Sequence, residues 1–284
     1  MKATQKATIG DITFLFYSDS IKYMPGYGKK DNLIYGAILA ENIAITIKDT
    51  RVTFREGTEI AFYHTIGKVA YGSPDTDVTA TLRTRKFTFR SGMRLTFSES
   101  GTVREGYLAA DTKIKMKQMS VTFRRGVEER ETISFTDDGA FRQGFLAGVN
   151  ELPVGGRTVR FMNFIAFSGA EQVTQGMLAA EERFTVGVNT FTFIKGDYHG
   201  VSFYESGAVS GAYLAAVAEV DCGGVRAKIE YNVLFSEKGS ITRALLAEEL
   251  SFGDEQYSAN DTVEFSYDAA GKLKNITRFK HPQR

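Results

Sequence analysis

The stretch from Phe97 to Thr112 reads FSESGTVREGYLAADT, and its pattern of apolar residues and glycines returns at several other places in the chain. The clearest recurring mark is an apolar residue followed by Leu-Ala. These marks predict a repeat of about 34 residues in about seven copies, a period typical of stacked repeat proteins. The first interval is about twice as long, which indicates a copy near Val69–Val78 that has lost its Leu-Ala. The leucines of the marks are Leu39, Leu108, Leu146, Leu178, Leu214 and Leu246.

A second mark lies upstream of Leu-Ala: an aliphatic residue, any residue and phenylalanine, followed by a glycine after a short polar segment. A third mark, Phe-x-x-Gly, precedes it in segments such as VTFREG and FTFRSG. Apolar and polar residues alternate in both marks, as in half-buried strands, and the glycines fit turns that need a positive φ. We predict that one hydrophobic core runs through all copies. It contains the repeated leucines and the phenylalanines Phe62, Phe97, Phe135, Phe167, Phe203 and Phe235.

The segment TVREGYLA, at Thr102–Ala109, departs from strict alternation. By alternation Val103, Tyr107 and Ala109 would share one face of a strand, and Leu108 would point to the other. This predicts either a bulge near Gly106 or a segment that is covered on both faces.

The sequence predicts an all-β fold, because no amphipathic stretch of ten or more residues with caps is found in it. We expect tandem repeats that form an elongated antiparallel β-meander or β-solenoid. The alternative is a seven-bladed β-propeller, in which the copies close radially. No linker divides the chain, so residues 1–284 are predicted to be a single domain. Residues 17–31 are expected to be a loop inserted in the first copy, and residues 276–284 a C-terminal tail.

Units such as FYESGAVSGAYLA (Phe203–Ala215) and FSESGTVREGYLA (Phe97–Ala109) resemble the variant MORN-repeat proteins of bacteria. The resemblance covers roughly Ile12 to Ile276 and concerns the pattern of residues. It implies a string of β-hairpins with a role in binding, tethering or assembly, and it implies no catalytic residues. The unit here is longer than a typical MORN repeat and lacks the Tyr-x-Gly opening in most copies.

Reactive side chains are few, and none is predicted to be catalytic, to bind a cofactor or to bind a metal. His64, His199 and His281 have no second histidine or cysteine at ligand spacing, so each is interpreted as a loop or surface residue. Cys222 is the only cysteine, which excludes an intrachain disulfide and favours a turn or buried thiol. The acidic pairs at Asp137-Asp138 and Asp75–Asp77 could suggest calcium, but turn chemistry explains them better.

Charge distribution is the one feature that favours a particular partner. The formal net charge is only +1, yet eleven Lys/Arg and three Asp/Glu fall between Arg83 and Arg125. A possible site for a polyanion or another partner in this stretch consists of Lys113, Lys115, Lys117, Arg124 and Arg125. The three lysines alternate with apolar residues and would emerge from one face of a strand. We favour the simpler interpretation, that they solubilise a sheet face and discourage edge pairing.

The leading functional hypothesis is a non-enzymatic β-repeat scaffold that presents an extended sheet face to a protein or polymer partner. The alternatives are an enzyme of β-propeller type and a polyanion-binding module that uses residues 83–125. Nucleic acid is a disfavoured partner, because the phenylalanines of the basic stretch fall on the buried face. No apolar run is long enough to span a membrane. The compartment stays open between a bacterial envelope or secreted location, with a leader already removed, and the cytoplasm.

Overall fold

The computed structural model describes residues 2–24, 33–63, 67–117, 119–196 and 199–279. These residues form β-strands, with one 3-10 turn at Ser18–Ser20 and no α-helix. They divide into two compact units, Met1–Lys115 with Ser120–Ala147 and Met116–Met119 with Gly148–Arg284. The all-β prediction is confirmed, while the single domain over residues 1–284 stays a prediction.

The first unit contains a main sheet and four two-stranded side hairpins. The main sheet pairs β3, β4, β7, β8, β11, β12, β15 and β16 in that order, and the side hairpins are β1–β2, β5–β6, β9–β10 and β13–β14. Every described pair is antiparallel. The strands are β1 (Thr4–Ile9), β2 (Ile12–Tyr17), β3 (Lys22–Tyr23), β4 (Ile34–Ile38), β5 (Ile43–Ile47), β6 (Thr50–Phe54), β7 (Glu59–Tyr63), β8 (Lys68–Gly72), β9 (Val78–Leu82), β10 (Arg85–Phe89), β11 (Leu95–Phe97), β12 (Val103–Gly106), β13 (Thr112–Lys115), β14 (Ser120–Phe123), β15 (Ile133–Phe135) and β16 (Phe141–Phe145).

The second unit repeats this plan. Its main sheet pairs β18, β19, β22, β23, β25, β26, β29 and β30 in order, and β20–β21 and β27–β28 are side hairpins. The long strands β18 and β25 each belong to the main sheet and also form a hairpin, because their first halves pair with β17 and β24. The strands are β17 (Asn150–Val154), β18 (Arg157–Phe167), β19 (Val173–Leu178), β20 (Glu182–Val186), β21 (Asn189–Phe193), β22 (Gly200–Phe203), β23 (Val209–Tyr213), β24 (Ala218–Asp221), β25 (Arg226–Phe235), β26 (Ile241–Leu246), β27 (Leu250–Phe252), β28 (Glu255–Tyr257), β29 (Thr262–Tyr267) and β30 (Leu273–Arg278).

Within each unit the main sheet continues from one copy to the next. In the first unit Leu95 of β11 pairs with Gly72 of β8, and in the second Ser202 of β22 pairs with Gln175 of β19. A propeller would instead consist of separate sheets, one for each blade. The predicted antiparallel meander is therefore confirmed, and the propeller alternative does not describe the pairing in either unit.

The repeated leucines occupy one equivalent position in the fold. Leu108 forms a β-bridge with Phe89, the last residue of side hairpin β9–β10, and Leu146 does the same with Phe123 of β14. Each leucine thus joins the end of a side hairpin to the main sheet of its own copy. The other pairs of this kind are Phe16–Leu39, Phe193–Leu214, Phe161–Leu178 and Ile229–Leu246.

The copy without Leu-Ala is present, and proline takes the leucine's position. Pro74 forms the equivalent bridge with Phe54. Proline has no N–H to donate, but its carbonyl oxygen accepts the N–H of Gly92 at 2.7 Å. The backbone at this position therefore keeps its role although the side chain has changed.

Phenylalanines of successive copies pack against one another. The ring of Phe97 lies edge-on to Phe54, with centroids 6.4 Å apart, and the ring of Phe235 lies edge-on to Phe191 at 5.1 Å. Edge-to-face contacts of this kind are favourable between aromatic rings. In these copies the side hairpin thereby covers the main-sheet phenylalanine of the following copy. The predicted core residues are all buried, with 6% exposure or less: Leu39, Leu108, Leu146, Leu178, Leu214, Leu246, Phe62, Phe97, Phe135, Phe167, Phe203 and Phe235.

The segment Thr102–Ala109 is predicted to contain a bulge near Gly106 or to be covered on both faces, and the structure has a bulge there. Thr96 pairs with Glu105 and Phe97 pairs with Val103, so Arg104 is the extra residue. The bulge places Val103 and Leu108 on the same buried side, which simple alternation would have separated. The same register shift recurs at the equivalent phenylalanine of other copies.

The two predicted non-repeat segments are only partly loops. Within residues 17–31, Lys22–Tyr23 form β3, which pairs with β4, while residues 25–31 lie outside the described residues. The predicted start of the C-terminal tail, at Ile276, is too early. Ile276 is buried in the last strand, β30, and pairs with Phe265 of β29. Hydrogen bonding to β29 therefore extends the sheet to Arg278.

Candidate functional site

The basic stretch is less basic in the fold than in the sequence, because acids just beyond it pair with its arginines. In the first unit Arg83 pairs with Asp138 and Arg104 with Asp137, at 2.5 and 3.1 Å. Arg124 pairs with Glu131 at 2.9 Å, and the Glu131 side chain is only 5% exposed. The guanidinium of Arg124 also lies 5.6 Å from the centroid of the Phe145 ring. Arg124 is thus held in a structural contact.

The remaining residues of the predicted basic site are exposed. Lys113 and Lys115 project from β13 opposite Thr122 and Ser120 of β14. The backbone N–H of Arg125 donates to Asp111 at 2.7 Å, and the side chain of Arg125 is exposed. Lys117 belongs to the second unit, where its backbone N–H donates to the Glu171 carboxylate at 3.1 Å. The fold thus brings Lys113 and Lys115 together on one hairpin face, and polyanion binding stays a prediction.

The carboxylates that suggested calcium are engaged in turns and ion pairs. Asp77 accepts the backbone N–H of Ser91 at 2.7 Å, a role that Asn42 fills for Glu56 in the preceding copy. Asp138 accepts hydrogen bonds from the Thr136 hydroxyl and the Arg83 guanidinium, which lower its pKa to about 2. Across the described ranges, no three His, Cys, Asp or Glu side chains converge in a way that could hold a metal ion.

The single cysteine is unsuited to act as a nucleophile. Cys222 is 1% exposed, and burial raises the pKa of its thiol to about 12. The thiol is therefore protonated at neutral pH, whereas the thiolate is the reactive form. His64 and His281 lie outside the described residues.

One face of the second unit's main sheet is less covered than the other. The phenylalanine face is buried, whereas residues in register on the opposite face are half-buried or exposed, except for one glycine. We call this opposite face the open face. Its in-register row, followed from β18 to β29, is Ala166, Gln175, Ser202, Gly211, Leu234, Arg243 and Glu264.

An aromatic cluster lies at one side of the open face. The ring centroids of His199 and Tyr213 are 4.5 Å apart, those of Tyr213 and Tyr231 are 5.1 Å apart, and those of His199 and Tyr231 are 5.9 Å apart. The Tyr213 and Tyr231 rings meet edge to face, with an interplanar angle of 78°. His199 precedes β22 directly, so the cluster joins three segments of the sheet.

A bulge in β25 brings Tyr231 into this cluster. Pairing with β26 passes directly from Glu230 to Val233, so Tyr231 and Asn232 are extra residues. Tyr231 has a φ of 61°, which is uncommon for a bulky residue, and it is 55% exposed. Its carbonyl accepts the N–H of Leu214 at 2.7 Å, which ties the bulge to the repeat core.

A groove of about 380 Å³ adjoins the cluster and shares Tyr213 with it. We call it the His–Tyr groove. Its polar lining consists of amides and hydroxyls from neighbouring strands, and no charged side chain lines it. The groove is lined by Gln175, Gly200, Ser202, Ser210, Gly211, Ala212, Tyr213, Asn232 and Leu234.

The sequence pattern predicts a loop or surface position for His199 and does not indicate that Tyr213, Tyr231 and Asn232 lie near it. One signal was present: this copy has Glu-Tyr-Asn where others carry the glycine turn of Phe-x-x-Gly. A missing turn glycine indicates that the strand continues through the position.

In comparisons with known proteins, no family model matches the chain, and no curated protein matches it either. Within the described part of the chain, no helix has the length and apolar character that crossing a membrane requires.

Proposed function

We propose that the protein is a non-enzymatic β-repeat binding protein and that its ligand lies across the open face. The supporting observation is the asymmetry of the main sheet in the second unit. One face carries the buried phenylalanines and leucines. The other presents an in-register row in which four of seven residues are polar, with the aromatic cluster at one side. A repeat sheet with one such face is the arrangement that extended ligands use on repeat proteins.

The reactive groups support a binding role. Cys222 is protonated, Asp77 caps a turn, and Asp138 is held by Thr136 and Arg83. A nucleophile or general base needs a partner that activates it. The contacts of these three groups are instead turn hydrogen bonds, an ion pair and core packing, which stabilise the fold. The resemblance to bacterial variant MORN-repeat proteins agrees with a role in binding or assembly and is part of this proposal.

The proposal can be tested with immobilised polymers of three chemistries: neutral polysaccharide, polyanion and denatured protein. We expect retention on one of them, with loss of retention in Ser202→Arg, which fills the open face. The control is Thr185→Arg, a strand residue exposed on side hairpin β20–β21, which should be retained like the parent. Gln175→Ala, at an exposed position on the same face, is the second variant in case Ser202→Arg fails to fold.

Two results would overturn this function. The first is retention on none of the three polymers, or retention that depends on Thr185 instead of the open face. The second is cleavage of the retained polymer, which size-exclusion chromatography of the polymer after incubation would detect.

Polyanion binding through β13 is the second candidate, because Lys113 and Lys115 share one exposed face. It predicts retention on the polyanion that weakens steeply with salt. The triple variant Lys113/Lys115/Lys117→Glu should then lose retention, whereas Ser202→Arg should keep it. The opposite pattern would favour the open face.

A further inference from the structure

We propose that the His–Tyr groove binds a neutral glycan chain, with one sugar ring stacked on Tyr231 and its hydroxyl groups hydrogen-bonded in the groove. The inference rests on the proposed function, because the groove is part of the open face. It adds the chemical class of the ligand and the residues that recognise it.

Tyr231 provides the stacking surface. The residue is 55% exposed, although its ring is held edge-on by Tyr213 and lies close to His199. A tyrosine that is already positioned loses little conformational entropy when a ligand binds, because it has only two side-chain torsions. Its positive φ belongs to the bulge and is a cost that the surrounding sheet sustains. The flat ring offers an apolar face that matches the C–H face of a pyranose.

The lining of the groove selects for a neutral ligand. Gln175 and Asn232 each offer an amide donor and acceptor, and Ser202 and Ser210 offer hydroxyls. Sugar hydroxyls also donate and accept, so they can satisfy both kinds of group at once. Beside the groove, Arg243 pairs with Glu264 through two hydrogen bonds, of 3.1 and 2.5 Å, so these charges compensate each other.

The same lining argues against other ligands that stack on aromatic rings. A nucleotide or single-stranded nucleic acid would require lysine or arginine for its phosphates, and the lining contains neither. An apolar peptide side chain would leave the amides of Gln175 and Asn232 without partners, which is costly on burial. A hydroxyl-rich neutral chain is the class that fits both the ring and the amides.

A glycine in the lining limits the shape of the groove. A Cβ at Gly211 would lie 2.7 Å from Cδ2 of Leu234. A side chain at this position would therefore displace Leu234, which also lines the groove. The volume of about 380 Å³ falls within the roughly 300–1,000 Å³ that is usual for small-ligand sites.

His199 supplies a polar group that the fold does not use. Its Nδ1 is buried and has no hydrogen-bond partner. Unpaired buried polar atoms are rare in folded proteins, and each needs an explanation. His199 adjoins the groove but does not line it, so a bound sugar would reach Nδ1 through a bridging water or a rearrangement of the cluster.

The deciding variant is Tyr231→Asn, because the chain already shows that asparagine is tolerated at this bulge. In β18 the equivalent bulge residue is Asn163, with a φ of 56°. The substitution therefore removes the ring without straining the backbone. The matched control is Tyr35→Asn, which removes an exposed tyrosine from β4 of the first unit.

Affinity would be measured by titration calorimetry with soluble β-1,3-glucan, β-1,4-glucan, galactomannan and chitin oligosaccharides. We expect at least one of these neutral glycans to bind, with affinity at least tenfold weaker in Tyr231→Asn and unchanged in Tyr35→Asn. Thermal unfolding of both variants should match the parent, which separates lost recognition from lost folding. His199→Ala should also weaken binding.

Several results would overturn the inference. They are binding of none of the neutral glycans, or binding that Tyr231→Asn leaves unchanged. Retention of the polyanion or of denatured protein, lost in Ser202→Arg, would also overturn it while leaving the proposed function intact. Absence of retention on all three immobilised polymers would overturn both this inference and the proposed function.

Discussion

Gly106→Ala should destabilise the first unit although it adds only one methyl group. The new Cβ would lie 2.6 Å from Cδ1 of Phe89 and 2.8 Å from Cδ1 of Leu95, whereas carbon atoms pack at about 3.5–4.0 Å. The Phe89 ring and the Leu95 side chain, or the strand that carries Gly106, must therefore move by about 1 Å. Phe89 is 1% exposed and forms the β-bridge with Leu108, so it has little room to move. Overpacking of this kind costs about 1–3 kcal/mol, and we expect the upper part of that range.

The assay is thermal unfolding followed by circular dichroism. In a protein of this size a loss of about 2–3 kcal/mol lowers Tm by roughly 4–12 °C. The control is Gly169→Ala, where a Cβ would meet nothing within 4 Å and φ is not left-handed. This control should be neutral or slightly more stable, because alanine restricts the unfolded chain. Equal Tm values for Gly106→Ala, Gly169→Ala and the parent would refute the close packing of side hairpin on main sheet.

Three further predictions concern the core, the thiol and an ion pair. Phe135→Ala should cost about 3–5 kcal/mol in the free energy of unfolding, since the side chain is 2% exposed; a parental urea midpoint would contradict this. Cys222 should react with a thiol reagent at pH 8 only after unfolding, because it is buried with a pKa of about 12; rapid labelling of the native protein would show the assignment to be wrong. The pKa of Asp138 is lowered from 3.8 to about 2, so its contribution to stability is complete above pH 4 and lost as the pH falls through about 2. Asp138→Asn should therefore lower Tm at pH 7 and converge with the parent near pH 2, and a Tm difference independent of pH would exclude the lowered pKa that Thr136 and Arg83 cause.

The repeat and the strand pattern could be predicted because their signals are local. Alternation in VTFREG and the glycine after Phe97 depend on neighbours within a few residues. The spacing of leucines such as Leu108 and Leu146 then indicates that equivalent strands stack. Even the copy around Pro74 could be placed, since the regular spacing shows where a copy is missing.

The candidate site could not be predicted in this way. Gln175, His199, Tyr213 and Tyr231 come from four strands or their ends, and they meet only through the register of those strands. The register near Tyr231 depends on a bulge, whose position follows from the pairing of β25 with both of its neighbours. No pattern within a short window of sequence contains that information.

The basic stretch shows the same division between local and long-range information. Its local excess of lysine and arginine is a property of the sequence, and so is the exposed face of β13 that carries Lys113 and Lys115. The pairing of Arg124 with Glu131 and of Arg83 with Asp138 is decided by tertiary structure, because it depends on which side chains the sheet brings within about 4 Å. The sequence alone thus determined the all-β class and the repeating core, through periods set by backbone geometry. The folded sheet decided which polar and aromatic side chains share a surface, because only long-range register brings them together.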